Sequence, residues 1–273
     1  VHLSATEGVG PWHQAHSFVR GHWAVVERAT PMIIAKCCHD LDIILWLLDD
    51  RCKAVSSFGS LEFFRSARMP VGATDRCTGG CPHVGSCAFD AHRYLREFRE
   101  WLPYIFDRSA EASDEEIVDW LRSSPWGRCV YQCDNNAVDR QVVNLEFQKG
   151  AVAQLTMTAF ATGRDLEIHG TEGVLRAGAA VREQSGSDIL VVANDGTVTP
   201  FTTKAELGGY DGHGGGDQGL VQALHAAFTA DKPSMMTSSL TVSIESHVVG
   251  FAAEAARTQR RIVELDEFRR SIT

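Results

Sequence analysis

The sequence predicts an α+β fold: a large, open, mostly antiparallel β-sheet with helices packed on one face. Three observations carry this. Beyond Trp126 the apolar residues recur with period two in short segments divided by turns. The stretch entered at Pro31 and the late segment Ser239–Arg257 instead read as helices. The strand-like segments follow one another without alternating helices, which excludes a doubly wound parallel sheet. At 273 residues the chain is long enough to bury a sizeable core as one large domain or two small ones, and it carries a cysteine-rich loop at 67–88.

In chain order, Val1–Glu7 reads as a strand, and His16–Arg20 as a second strand turning at Gly21. Pro31–Asp40 enters an amphipathic helix in which Leu41, Ile44, Leu45 and Leu48 share a face. Cys52–Phe64 is strand-like with a break at Gly59, and Ala67–Ala88 is an irregular run of Gly, Pro, Cys and Thr. Helices are expected at Asp90–Trp101 and Ser113–Ser123, the latter opened by a Ser113-x-x-Glu116 capping box. Strands are expected at Arg128–Cys133, Gln141–Gln148 and Ala151–Ala159, with Lys149-Gly150 as a hairpin turn. Leu166–His169, Gly173–Arg176, Ala180–Glu183 and Ile189–Ala193 continue the series. A glycine-rich stretch, Gly208–Gly219, leads to helices Leu220–Thr229 and Ser239–Arg257 and a short strand at Arg261–Leu265.

Lys plus Arg number 26 against 35 Asp plus Glu, a formal charge of -9, and the basic residues cluster only at Arg257–Arg261 and Arg269–Arg270. A nucleic-acid partner is therefore not expected. Ile43–Leu48, the longest apolar run, is too short for a membrane span. No signal peptide opens the chain, so a cytoplasmic location is expected. The opening at Val1 rather than Met reads as a fragment whose upstream part has been removed.

Four segments could carry chemistry. Gly214–Gly219 matches G-x-G-x-x-G as text, but Glu206–His213 before it is no buried strand and another helix follows, so a capping glycine loop is the reading preferred to a nucleotide fingerprint. That loop also presents His213 and Asp217 near a helix N-terminus. In Ala35-Lys36-Cys37-Cys38-His39-Asp40-Leu41-Asp42, Lys36 stands one turn before His39. A cation and a helix N-terminus both disfavour imidazolium, which suits His39 to take a proton from an alcohol whose oxygen Lys36 polarises. The plainer alternative packs His39 on the sheet and uses Asp40 and Asp42 to charge the first turn. Cys77, Cys81 and Cys87 fall within a Gly/Pro-rich loop and suit a structural zinc. Cys133 is taken as the fourth ligand, with Cys129, His83 and His92 as alternatives; reduced thiols without metal are the other reading. Finally, Cys133–Gln141 and Arg20 read either as ordinary polar loop groups or as one lip of a sugar-like substrate site.

Together these segments resemble the C-terminal domain of the Gfo/Idh/MocA family of NAD(P)-dependent sugar and polyol oxidoreductases. The likeness runs through His16–Gly21, Lys36–Asp42, Cys77-x3-Cys81, Gly127–Asn135 with Asp139-x-Gln141, the hairpin Val142–Phe160, Ile168–Gly173 and Gly212–Asp217. It implies that residues 1–273 form a single substrate-binding and oligomerisation domain, and that an upstream nucleotide-binding domain of about 120 residues, not in this chain, carries most of the NAD or NADP contact. It also implies a sugar, inositol or polyol substrate, and a homo-oligomer formed through the sheet face. By this resemblance His39 is the acid/base histidine of an Asp-x-x-x-His pattern. The Asp position is Ala35 here, which leaves Lys36 or Asp40 as its partner. The expected catalytic pair is thus His39 and Lys36, with Arg20, Asp40, His213 and Asp217 contacting substrate. A zinc-stapled, non-catalytic oligomerisation or protein-binding module is the alternative.

Overall fold

The structure is a computed structural model and describes residues 1–107, 111–202, 216–229 and 239–272. Its centre is a sheet of nine strands: β1 (His2–Val9), β2 (Cys52–Ser60), β3 (Arg140–Phe147), β4 (Val152–Thr158), β5 (Thr162–His169), β6 (Gly173–Gly178), β7 (Ile189–Ala193), β8 (Val198–Phe201) and β9 (Val263–Glu264). Their order is β8-β7-β6-β5-β1-β4-β3-β2-β9. Neighbours run antiparallel except β1 and β4, whose parallel register pairs Leu3 with Ala153 and Glu7 with Met157. The predicted sheet is present, with this one parallel seam at its middle.

Period-two burial sets the face of each strand. Val143, Leu145 and Phe147 of β3 and Ala153, Leu155 and Met157 of β4 are buried; Val143 pairs with Leu155 and Leu145 with Ala153 on that face, and the residues between them along each strand point the other way. The hairpin between them turns at Gly150, whose φ of 90° is the left-handed region that glycine occupies at no steric cost. On the buried face lie α2 (Met32–Ala35), α3 (Cys38–Leu48), α7 (Leu240–Gln259) and α8 (Leu265–Ile272). Ile33, Leu41, Ile44, Val249, Ala252 and Ala253 fill the gap between helices and sheet.

Two smaller clusters extend the core past the sheet. One gathers Trp12, Tyr94, Leu102, Ile117, Leu121 and Trp126, including residues of α4 (Asp114–Ser123). That helix opens with the predicted capping box: Glu116 N donates to Ser113 Oγ at 3.3 Å, and Ser113 N donates to Glu116 Oε2 at 2.8 Å. The other joins Ala15, Val19, Phe64, Phe89, Val130 and Ala159 under the cysteine-rich loop.

Four predicted elements take other forms. His16–Arg20 is not a strand: α1 (Pro11–His13) continues into a π-helix, Gln14–Val19. Arg128–Cys133 is a set of turns, pinned where Cys129 N donates to Asp75 O at 2.8 Å. Ala180–Glu183 lies in a helix, α5 (Ala179–Ser185), bounded by Gly178 and Gly186, both at positive φ. Asp90–Trp101 forms two short 3-10 segments, Ala91–Leu95 and Arg99–Tyr104, not one α-helix. The helix predicted at Leu220–Thr229 is α6 (Gly216–Thr229), whereas most of the glycine stretch before it lies outside the described residues.

Gly127 shows how tightly the second core cluster closes. A Cβ at this position would sit 1.8 Å from the Leu121 carbonyl oxygen, a backbone atom that cannot swing aside. Gly127→Ala is therefore expected to destabilise the chain by about 1–3 kcal/mol or more, read as a lower urea midpoint at unchanged slope; an unmoved midpoint would contradict this packing.

Candidate active site

A charged cluster lies on the helix side of β1. Glu7 shares its strand face with Leu3, Ala5 and Val9, so its carboxylate enters the core, where its side chain is 2% exposed. Arg164 stands directly opposite on β5, its Nε 2.7 Å from Glu7 Oε2. The junction of α2 and α3 breaks at Lys36 and Cys37, and Lys36 Nζ reaches Glu7 Oε1 at 3.2 Å. From the first turn of α3, buried Asp40 accepts from Arg164 Nε at 2.8 Å. His39, half-exposed, presents Nε2 to Arg164 Nη2 and lies 3.6 Å from Asp40 Oδ2.

Guanidinium nitrogens only donate, so the Arg164 contact requires His39 Nε2 to be an acceptor, which leaves the ring proton on Nδ1. Burial, then the Asp40 charge, push the Glu7 carboxyl above the usual carboxylate range, and Lys36 and Arg164 pull it back. The neighbouring Cys37 thiol is driven well up by burial, which makes it an inert core thiol rather than a nucleophile.

His13 connects this cluster to a cavity of about 860 Å³ whose walls include His13, His16, His22, Trp23, Trp101 and Trp126. His16 Nδ1 lies 2.5 Å from the Tyr94 hydroxyl, and the His16 ring meets Trp101 edge-on at 4.8 Å. Burial, then the Lys36 ammonium, push His13 down to about 4. Burial, followed by the charges of His13 and Arg20, does the same to His16, also to about 4. The cavity thus offers two neutral imidazoles, those of His13 and His16, and flat aromatic faces, with the Lys36 ammonium close enough to act on His13.

The oxidoreductase family described by its C-terminal alpha/beta domain (GFO_IDH_MocA_C) matches residues 3–265. The chain belongs to that family. Solved structures with the same fold include an NAD binding oxidoreductase from Klebsiella pneumoniae, 13% identical with a TM-score of 0.58, matched over 97% of this chain and 58% of that one. A scyllo-inositol dehydrogenase from Lactobacillus casei, with NAD(H) and scyllo-inositol bound, is 13% identical at a TM-score of 0.51, over 97% and 56%. A super-repressor mutant of Gal80p from Saccharomyces cerevisiae is 8% identical at a TM-score of 0.55, over 98% and 58%. The chain thus spans a little over half the length of these structures. Among curated proteins, no sequence matches it.

In this Gfo/Idh/MocA domain the structure brings Lys36, His39 and Asp40 together as the sequence suggests, and adds Glu7, Arg164 and His13. Arg20 goes elsewhere: it is 4% exposed and donates to Arg128 O and Phe89 O, both at 2.7 Å. Asp217 is exposed in the first turn of α6, and His213 lies outside the described residues. The zinc set is corrected. Cys77, Cys81, Cys87 and Cys129 line one cavity, whereas the Cys133 thiol donates to Cys129 O at 3.3 Å. Among the described residues no three His, Cys, Asp or Glu side chains are placed to hold a metal ion. His83 is turned to Val71 O at 2.9 Å and His92 to Asp90 at 2.8 Å. Among the described residues, too, no helix is long and apolar enough to cross a membrane.

The unfolded chain binds protons at His13 and His16 below their ordinary 6.5, whereas the folded chain does so only near 4. Their contribution to stability is therefore full above 6.5 and is lost as pH falls through that interval. Between about pH 7 and about pH 5 the urea midpoint is expected to fall, and to fall less in His16→Gln; equal slopes in the two proteins would remove His16 from this account.

Proposed function

We propose that this chain is the substrate side of a nicotinamide-dependent oxidoreductase that interconverts a secondary alcohol of a sugar, inositol or related polyol with its ketone. The observation that carries this reading is the convergence of Lys36 and His39 on buried carboxylates beside an aromatic-walled cavity in which His13 and His16 stand uncharged at neutral pH. Flat aromatic faces take the apolar face of a polyhydroxylated ring, and neutral imidazoles accept or donate hydrogen bonds to its hydroxyls. A phosphorylated substrate would instead call for cations along the cavity wall.

Lys36, held in place by Glu7, polarises the reacting oxygen as an ammonium. His39 takes or returns the hydroxyl proton at Nε2, and the substrate oxygen reaches that atom as half-exposed Arg164 swings aside. Arg164, released, keeps its charge near Asp40. Nicotinamide, when bound, supplies the hydride acceptor or donor. The described residues include no strand, glycine turn and helix arranged to cradle a dinucleotide, so that contact is assigned to the remainder of a longer protein. In the same reading the uncovered outer face of the sheet, where Phe58 and Val152 are exposed, meets a second copy of the chain.

Ala35, standing where the family's pattern has Asp, favours the alternative of a non-catalytic scaffold. Glu7 answers it, because a strand-borne carboxylate sits against Lys36, the residue next to the missing one. In the full-length protein, His39→Asn and Lys36→Met are each expected to lower turnover at least ~100-fold while leaving cofactor affinity unchanged. Full turnover in both variants would overturn the catalytic reading. For the outer face, Phe58→Glu is expected to lower the solution mass measured by light scattering; a mass equal to the parent's would remove that face from the interface.

A further inference from the structure

We propose that His16 is a fixed hydrogen-bond donor of the aromatic cavity: its ring proton sits on Nε2 and faces the cavity, because the Tyr94 hydroxyl donates to Nδ1. The ligand it selects sets an acceptor, a hydroxyl or carbonyl oxygen, against that N–H. The class of ligand rests on the proposed function; the position of the proton does not.

Two protons have to be placed. Tyr94 is wholly buried, and burial lifts its phenol well above the usual range, so the oxygen keeps its proton. Its hydroxyl meets one partner among the described residues, His16 Nδ1 at 2.5 Å. Burial, then the charges of His13 and Arg20, keep the His16 ring uncharged at neutral pH, so it carries a single proton. With that proton on Nδ1, the phenol's own proton would be shut in the core without an acceptor. With it on Nε2, Nδ1 accepts from the phenol and neither group is left unpaired in the core.

The ring cannot exchange its two nitrogens without breaking that bond, and both partners are packed in place. Trp12 meets Tyr94 edge-on at 5.0 Å, Trp101 meets His16 edge-on at 4.8 Å, and every residue of the π-helical segment is buried. His16 Nε2 has no partner among the described residues and is not sealed in the core, so it opens on the cavity that the ring lines.

Trp126, on the same wall and 7% exposed, carries an indole N–H that has no acceptor among the described residues either. The buried part of the wall thus holds two donors in want of acceptors. Glu100, exposed, is the one carboxylate among the described lining residues. A polyhydroxylated ring suits this division, since each hydroxyl can accept from one group and donate to another. An ammonium in the same place would set donor against donor, so amino sugars are disfavoured at His16.

Nitrogen-detected NMR of this chain at neutral pH tests the proton's position. Expected for His16 are a protonated Nε2 and a bare Nδ1, with a downfield Tyr94 hydroxyl proton that is lost in Tyr94→Phe. A protonated Nδ1, alone or in an imidazolium, would overturn the proposal, and the parent's spectrum decides this without any variant. The ligand is tested in the full-length protein with scyllo-inositol, myo-inositol and glucose. His16→Phe is expected to raise KM about tenfold, more than it lowers kcat, and His16→Gln, whose amide can donate, to recover most of that loss. Equal KM in all three proteins overturns the donor role toward ligand. A parent that turns over none of these compounds overturns the proposed function and the ligand class with it, while the spectrum still decides the Tyr94–His16 pair.

Discussion

A carboxylate placed inside the core governs the arrangement of the charged cluster at the candidate site. Glu7 occupies an inward position of β1, where Leu3 and Val9 are buried, and an unpaired charge there would cost several kcal/mol. Compensation comes from two directions, Arg164 across the strand pair and Lys36 from the break between α2 and α3. Each partner constrains more than itself. Arg164 fixes the register of β5 on β1 and holds Asp40. Lys36 fixes where α3 begins, and so where His39 stands. A charge that the core cannot solvate thus becomes the device that places the proposed proton-transfer group.

Much of the fold was readable because burial follows simple periods. β3 and β4 alternate strictly, and the hairpin glycine and the capping box act through neighbouring residues, so local sequence specifies them. The misread segments are those in which tertiary contacts replace periodicity. Residues 14–19 are all buried, leaving no polar face to betray a helix, and the alternating look of His16–Arg20 imitates a strand. Pro11 directly after Gly10 was the available sign, being a favoured first residue of a helix. Arg128–Cys133 is apolar enough for a strand, but its backbone is claimed by Asp75 and Arg20.

The site was legible by half for a related reason. Lys36, His39 and Asp40 are close in sequence, so their spacing alone suggests a unit. Glu7 and Arg164 meet only through a strand pairing that links distant parts of the chain. Each nonetheless carries a signal, since a charge falls in phase with apolar residues: Glu7 with Leu3, Ala5 and Val9, Arg164 with Leu166 and Ile168. An inward charge on a strand asks for a partner of opposite sign on the same face. That rule, applied to both strands, would have paired them.

The aromatic cavity and the cysteine cavity share their framework. His16 and Ser17 line the first and Arg20 the second, all within one π-helical segment and its cap. Trp126 lines the first and Cys129 the second, across one short turn that Gly127 must serve without a side chain. Arg20 closes the frame by binding Arg128 O between them. Whatever fixes Arg20 and Cys129 therefore also fixes the positions from which His16 and Trp126 reach the aromatic cavity. The cysteine loop needs no contact with the aromatic cavity to matter for its shape, because a packed interior passes on the displacement of a wall it shares.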